Sequence, residues 1–355
     1  MNSTPALVAA ASGIRPAIAP VWFMRQAGRC LPEYKEARGS TQMLDACLTP
    51  ELAAEITLQP VRRHGVDAAI FFSDIVVPLK LAGIDVEIRP GVGPVMGKAH
   101  RTAADIAELT AHEPGDHTAI REAIAITLEG LSKLPTTDVT GASMLGVPLI
   151  GFAGAPFTLA AYLVEGKPSR DHLAARTLMH AEPELWDRLM TWTADITGRF
   201  LAEQVAAGAS VVQLFDSWAG SLSRADYVER VLPYSLRALE FVDVPKIHFG
   251  TGTGEFLADM EADVTGVDYR IPLDDAVARI ASGRGLSPDQ VSVQGNIDPA
   301  LLAAPFEVLA EHTRAVLNAG KVARSHIVNL GHGVPPTTDP TVLTRLAEFI
   351  HEESK

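Results

Sequence analysis

A chain of 355 residues, 47% of them hydrophobic, is long and apolar enough to bury a large core, in one large α/β unit or two ordinary ones. Its formal charge of -13 would repel nucleic-acid phosphates and anionic membrane surfaces, and no apolar run is long enough to span a bilayer, so neither partner is expected. The two cysteines, Cys30 and Cys47, cannot build a disulfide scaffold and suit a reducing cytoplasm, the expected location.

Along the chain, short apolar and β-branched runs recur, each bounded by turn residues and separated by helix-like stretches. That is the pattern of parallel strands buried on both faces. Eight strands are expected: Ala19 to Arg25, Val66 to Phe72, Val147 to Ala153, Ala209 to Phe215, Val244 to Phe249, Val264 to Asp268, Val291 to Gly295 and Ser325 to Leu330. Between the first two, Thr49-Pro50-Glu51-Leu52 reads as a helix start, with Thr49 as N-cap, Pro50 at the first helical position and an acid in the first turn; Gly65 closes the element. The interval from Ser73 to Gly146 is too long for one crossover. Its alternating segment Asp85-Val86-Glu87-Ile88-Arg89, before the Gly91 to Gly97 turn cluster, predicts a hairpin and helices inserted around 80–145. Further on, Leu189, Trp192, Ile196, Phe200 and Val205 predict an amphipathic helix through Glu184 to Ala207, ending at Gly208. With no linker-like or repetitive stretch, the expected fold is α/β: a single-domain (β/α)8 TIM barrel over residues 1–355.

In such a barrel the active site lies beyond the carboxyl ends of the strands. The residues following the runs are polar: Arg25, Gln26 and Arg29; Ser73 and Asp74; Asp216 and Ser217; Asn296 and Asp298; and His332. Taken singly, Asp268, Asp298 and Ser217 read as turn or helix caps. His248 reads as a packed, hydrogen-bonded imidazole rather than a metal ligand. His332 is different, because Gly331 and Gly333 on either side permit unusual backbone angles and close ligand approach. The least bland segment is Phe23-Met24-Arg25-Gln26-Ala27-Gly28-Arg29. Its two guanidiniums flank small residues and follow an apolar run that leaves the core, so a carboxylate or phosphate ligand is a sharper reading than surface ion pairing. Other chemistries lack their residues. Gly250-Thr251-Gly252-Thr253-Gly254 matches neither a dinucleotide fingerprint nor a P-loop, no third thiol exists for a zinc cluster, and no nucleophile elbow is present.

Several stretches together carry a family resemblance. Pro20-Val21-Trp22-Phe23-Met24-Arg25-Gln26-Ala27-Gly28-Arg29-Cys30-Leu31-Pro32-Glu33-Tyr34 resembles the N-terminal signature of the uroporphyrinogen decarboxylases, and Gly151-Phe152-Ala153-Gly154-Ala155-Pro156-Phe157-Thr158-Leu159-Ala160-Ala161-Tyr162 resembles their second signature. Phe71-Phe72-Ser73-Asp74-Ile75, Gln213-Leu214-Phe215-Asp216-Ser217-Trp218-Ala219-Gly220, Gln294-Gly295-Asn296-Ile297-Asp298-Pro299 and Asn329-Leu330-Gly331-His332-Gly333 match in order, so the resemblance runs over nearly the whole chain. Cys30 departs from it, standing where the family more often has tyrosine. The resemblance implies a barrel, usually a homodimer, that converts uroporphyrinogen III to coproporphyrinogen III by releasing four acetate carboxylates as CO2, in porphyrin and heme biosynthesis. It implies no metal and no organic cofactor. Carried over by motif, Arg25, Arg29 and the backbone of Gln26, Ala27 and Gly28 contact substrate carboxylates. Asp74 faces the pyrrole NH groups, and Tyr162, Ser217 and His332 complete the pocket; Asp74 and Arg25 are the expected catalytic residues.

The chemistry is self-consistent. Loss of CO2 leaves electrons on carbon, and decarboxylases often borrow an electron sink from a cofactor. A pyrrole protonated on carbon supplies its own sink, so the protein needs a carboxylate beneath the cationic ring and arginines to hold the acetates and propionates. Burial should raise the Asp74 pKa, while neighbouring arginines and pyrrole NH donors oppose the rise. Two rivals remain at this level. One is a zinc-less relative of the superfamily's methyltransferases, whose thiol-activating histidine-X-cysteine is replaced here by His248-Phe249-Gly250. The other is a tetrapyrrole-binding protein without turnover.

Overall fold

A computed structural model describes residues 4–355; residues 1–3 of the expected 1–355 unit lie outside the described residues. Seven parallel strands form one curled sheet in chain order: β1 (Ala69–Ile70), β2 (Leu149–Gly154), β3 (Val211–Asp216), β4 (Lys246–Gly250), β5 (Val264–Gly266), β6 (Ser292–Gln294) and β7 (Ser325–Ile327). The fold is the expected α/β barrel, with one correction. The first run, Ala19 to Arg25, is not a strand but a single parallel bridge between Val21 and Val328. Trp22 N–H donates to the Val328 carbonyl (3.3 Å) and Val328 N–H to that of Pro20 (2.9 Å), while Asp67 N–H donates to the Val21 carbonyl (2.8 Å). This segment therefore spans from β7 to the entrance of β1 and closes the curl. It builds no ladder because Pro20 has no N–H and the Val21 N–H is taken by the Asp67 side chain (2.8 Å). Strand β1 is also shorter than its run, since Phe72 N–H turns to the Thr57 hydroxyl (2.9 Å).

The helices follow the sequence signals closely. Helix α1 (Pro50–His64) starts at Pro50 and ends at Gly65, whose φ of 61° is left-handed. Thr49 occupies the N-cap position without capping, because its hydroxyl donates instead to the Asp45 carbonyl (2.8 Å). Helix α2 (Pro156–Glu165) follows β2, and helix α3 (Pro183–Ala206) falls within two residues of the expected amphipathic helix. Between β1 and β2, the antiparallel hairpin Val86–Arg89 with Gly93–Met96 is joined by helices Ala103–Leu109 and Thr118–Leu131. A second hairpin, Pro135–Thr137 with Ser143–Leu145, had no distinct alternation in the sequence.

Two apolar layers result. One lies between strands and surrounding helices, and the other fills the lumen with Trp22, Met24, Ile70, Ile150, Phe152, Val211, Ile247, Phe249, Val264 and Ile327. A chain of polar lumen groups runs through it: Trp22 Nε1 donates to Gln294 Oε1 (3.0 Å), and Gln294 Nε2 to Gln213 Oε1 (2.8 Å), leaving Gln213 Nε2 without a hydrogen-bond partner among the described residues. The lumen is thus packed, and helix Ala6–Ala11 seals the amino-terminal end of the strands through Leu7, Ala10 and Ala11. A ligand is left the carboxyl-terminal face.

Candidate active site

The arginine segment is built by a tight turn. Gln26 N–H donates to the Phe23 carbonyl (2.9 Å), its side-chain oxygen accepts from Phe23 N–H (2.9 Å), and its amide nitrogen donates to the Ala68 carbonyl (2.9 Å). Gln26 is fully buried and spent on this stitch, so its amide is a scaffold beneath the turn rather than a group facing a ligand. The turn holds Arg25 at φ 63° and Arg29 at φ 46°, left-handed conformations that cost a non-glycine residue energy and cluster at functional sites. Gly28, at φ 95°, lies against the Tyr34 ring, and Ala27 is half-buried against the core. Both arginines are exposed, and neither forms an ion pair among the described residues. That disposes of the surface salt-bridge reading and leaves two unpaired forks on one lobe.

Arg25 is the hub. Its charge opposes the rise that burial causes at Asp74 and Tyr162 and deepens the fall at His332, so these three sequence-expected residues lie within electrostatic range of one guanidinium. Asp74 follows β1, half-buried, and accepts a hydrogen bond from Val76 N–H (3.1 Å). Burial raises its pKa above the ordinary carboxylate value, and the Val76 N–H and the Arg25 guanidinium offset that only in part. Tyr162, on α2, is pushed far up, first by burial and then by the Asp74 charge, so its hydroxyl keeps its proton.

His332 is tied to the arginine turn by the backbone. Asn329 Oδ1 accepts from Met24 N–H (2.9 Å) and Leu330 N–H (2.8 Å), and Val334 N–H donates to the Met24 carbonyl (2.8 Å). Neither flanking glycine adopts the unusual backbone angles expected of it; what they allow is close approach, since a Cβ at Gly331 would strike the Tyr269 backbone and one at Gly333 would push aside the Arg25 side chain. The imidazole retains exposed surface but sits deep enough that burial lowers its pKa, and the charges of Arg25 and Arg270 lower it further. A neutral His332 can both donate and accept hydrogen bonds.

Arg270 was not anticipated. It stands two residues after Asp268, beyond β5, and pairs with that carboxylate. Asp268 also accepts from Arg270 N–H (3.0 Å) and Gly252 N–H (2.5 Å). The glycine run after β4 is therefore engaged in holding Asp268, and Asp268 is more than a cap. The available signal was Asp268-Tyr269-Arg270 immediately after a strand, which gained meaning only when the segment after β5 was seen to lie against Gly331, beside His332.

The remaining residues divide. Ser217 lies half-buried after β3 with its carbonyl accepting from the Thr251 hydroxyl (2.6 Å), but no interaction links it to the Arg25 group among the described residues; the same holds for Arg29. Asp298 is a cap, accepting from Ala300 N–H (2.9 Å). His248 is packed as expected, although neither ring nitrogen has a hydrogen-bond partner among the described residues; the Asp216 carboxylate is 3.7 Å away. Cys30 and Cys47 are buried free thiols with pKa values raised by burial, and among the described residues no group of three or more His, Cys, Asp or Glu could hold a metal ion.

The family model described as uroporphyrinogen decarboxylase (URO-D) matches residues 2–353. The uroporphyrinogen decarboxylase of Arthrobacter sp. (strain FB24) is 58% identical over 98% of this chain and 97% of its own, and that of Streptomyces avermitilis is 53% identical over 94% and 90%. Among solved structures, a methyltransferase from Methanosarcina mazei superposes with a TM-score of 0.75 at 16% identity, covering 98% of this chain and 97% of its own, a likeness of fold alone. With a family model matched almost end to end and relatives above half identity at near-full length, this chain belongs to the uroporphyrinogen decarboxylase family.

Proposed function

We propose that this protein is a cofactor-independent carbon–carbon lyase that removes the four acetate carboxyl groups of uroporphyrinogen III, giving coproporphyrinogen III and CO2. The observation that carries the reading is the juxtaposition of an unpaired arginine fork, Arg25, with the half-buried carboxylate of Asp74, in a family whose curated relatives bear that name. In each round a pyrrole carbon is protonated, and the bond from the acetate methylene to its carboxyl carbon breaks. The electron pair neutralises the ring cation, a proton added to the resulting methylene completes the methyl group, and the ring carbon gives back the proton it took, so each round consumes one net proton and releases one CO2. Asp74, beneath the ring nitrogens, stabilises the cation, and the pyrrole NH donors favour its charged form. Arg25 and Arg29 grip carboxylates, aided by the backbone from Gln26 to Gly28. The protonated Tyr162 hydroxyl, Ser217 and neutral His332 orient the macrocycle. The protein works as one unit, as a homodimer in the cytoplasm, without membrane or nucleic-acid partners.

The test is anaerobic incubation with uroporphyrinogen III after exhaustive chelation, with chromatographic separation of the oxidised products. Coproporphyrin should accumulate through partly decarboxylated intermediates. Binding without product would leave a carrier, and turnover restored only by added zinc would overturn the cofactor-independent mechanism.

A further inference from the structure

Trp218 has no part in the reaction described above, yet it occupies a constrained position beside it. It follows Ser217 after β3, and its half-exposed indole stacks on the Tyr162 ring with centroids 3.9 Å apart and planes at 36°. On the same indole lies the His172 imidazole, at 4.3 Å and 23°, and the edge of Phe157 closes against His172 at 6.2 Å and 88°. Three chain segments thus meet in one stack: α2, the turn after β3, and the residue that opens helix Leu173–Ala181.

The backbone holds each ring in place. The Trp218 carbonyl accepts from both the Ser221 N–H (3.1 Å) and hydroxyl (2.8 Å). His172 is held left-handed, at φ 49° and ψ 41°, by its own N–H bonded to the Ser169 hydroxyl (3.1 Å) and its carbonyl accepting from Arg176 N–H (2.9 Å). Glu165, the last residue of α2, accepts from Ala174 N–H (2.8 Å) and Ala175 N–H (3.2 Å), which couples the Tyr162 helix to the His172 segment. His172 is buried and its Nδ1 has no hydrogen-bond partner among the described residues, so the ring contributes through its face. Glycine at position 172 would relieve the left-handed backbone but would remove the ring, so the strain is accepted together with a buried imidazole face laid against the indole, which points to placement of the rings.

We propose that Trp218 and His172 are positioning residues that fix the Tyr162 ring against the substrate beside Asp74 and Arg25. This rests on the reading of Tyr162 as a substrate-contacting group. Steady-state kinetics with uroporphyrinogen III test it in a double-mutant cycle. Trp218→Leu should lower kcat about ten-fold with a smaller change in KM, as expected for lost orientation. Trp218→Phe should recover most of that loss, and His172→Asn, a residue tolerant of left-handed backbone, should lower kcat several-fold. In a Tyr162→Leu background the Trp218→Leu loss should shrink below two-fold, because the ring being positioned is gone. The proposal is overturned if Trp218→Leu turns over within two-fold of wild type, if its loss persists undiminished in the Tyr162→Leu background, or if Tyr162→Leu itself is unimpaired. Should Trp218→Leu fail to fold, the same cycle runs on His172→Asn and Trp218→Phe. Near-ultraviolet circular dichroism reads the stack without turnover: the change caused by His172→Asn should vanish in a Trp218→Phe background, and persistence there would refute the stack. Absence of coproporphyrin from the wild type, with that dichroic coupling intact, would instead refute the functional reading.

Discussion

Replacing Asp74 by Asn removes one negative charge at nearly constant shape, which isolates electrostatics from hydrogen bonding. The amide can still accept from Val76 N–H, so the turn after β1 should survive. A unit charge about 4 Å from a developing ring cation, at an effective dielectric of about 20, is worth about 4 kcal/mol, or roughly a thousand-fold in rate. Asp74→Asn should therefore lose most of kcat while retaining measurable porphyrinogen binding, and Asp74→Glu, which keeps but displaces the charge, should retain more activity. Stability should move the other way. Burial holds the Asp74 pKa above its ordinary value of 3.8, so between that value and the raised one the folded state binds more protons than the unfolded. Stability from this group is present below pH 3.8 and is lost as pH rises through the raised value, leaving the ionised carboxylate destabilising at neutral pH. Asp74→Asn should thus raise Tm at pH 7 while abolishing turnover, with little gain at low pH. Single-turnover kinetics, binding and thermal unfolding on the same preparations decide the matter. An Asn variant as fast as wild type would reduce Asp74 to a hydrogen-bonding orienter and require another group to stabilise the cation.

Arg25→Ala and Arg29→Ala should each cost about 2 kcal/mol in kcat/KM, roughly thirty-fold, with poor rescue by Lys because an ammonium lacks the fork; near-normal kinetics in both would move the carboxylate site elsewhere. Burial lowers the His351 pKa, but its hydrogen bond to Asp67 (2.7 Å) and that carboxylate's charge outweigh burial and raise it above 6.5 overall. The clasp should therefore stabilise fully below pH 6.5 and fade as pH rises through the raised value; Tm of His351→Gln against wild type across that window should show this component disappear. His326 is the opposite case. Burial drives its pKa down to about 4, against the opposing hydrogen bond from its Nε2 to the Gly295 carbonyl (2.6 Å). Roughly 3 kcal/mol should be lost as pH falls from 6.5 toward 4, and urea unfolding of His326→Gln should show a flatter acid limb; an unchanged slope would place the acid sensitivity in other groups.

The chain's own pattern determined much of this protein. Proline and glycine punctuation located α1 from Pro50 to Gly65, and apolar periodicity located α3, because both signals are local and survive whatever packs around them. Apolar runs marked the seven strands of the sheet, and the motif around Arg25 marked the anionic-ligand lobe. Tertiary structure decided what depends on partners distant in sequence. The first run became a bridge rather than a strand because its Val21 N–H meets the Asp67 carboxylate. Gln26 turned inward to Ala68, which no local rule distinguishes from an outward-facing amide. Arg270 acquired a place in the site only because the segment after β5 packs its Tyr269 against Gly331 in the His332 loop, and Trp218 and His172 met only because the turn after β3 crosses the helix that carries Tyr162. Local propensity is written residue by residue, whereas barrel closure sets which strand ends face one another, and the chemistry of the site resides in that second relation.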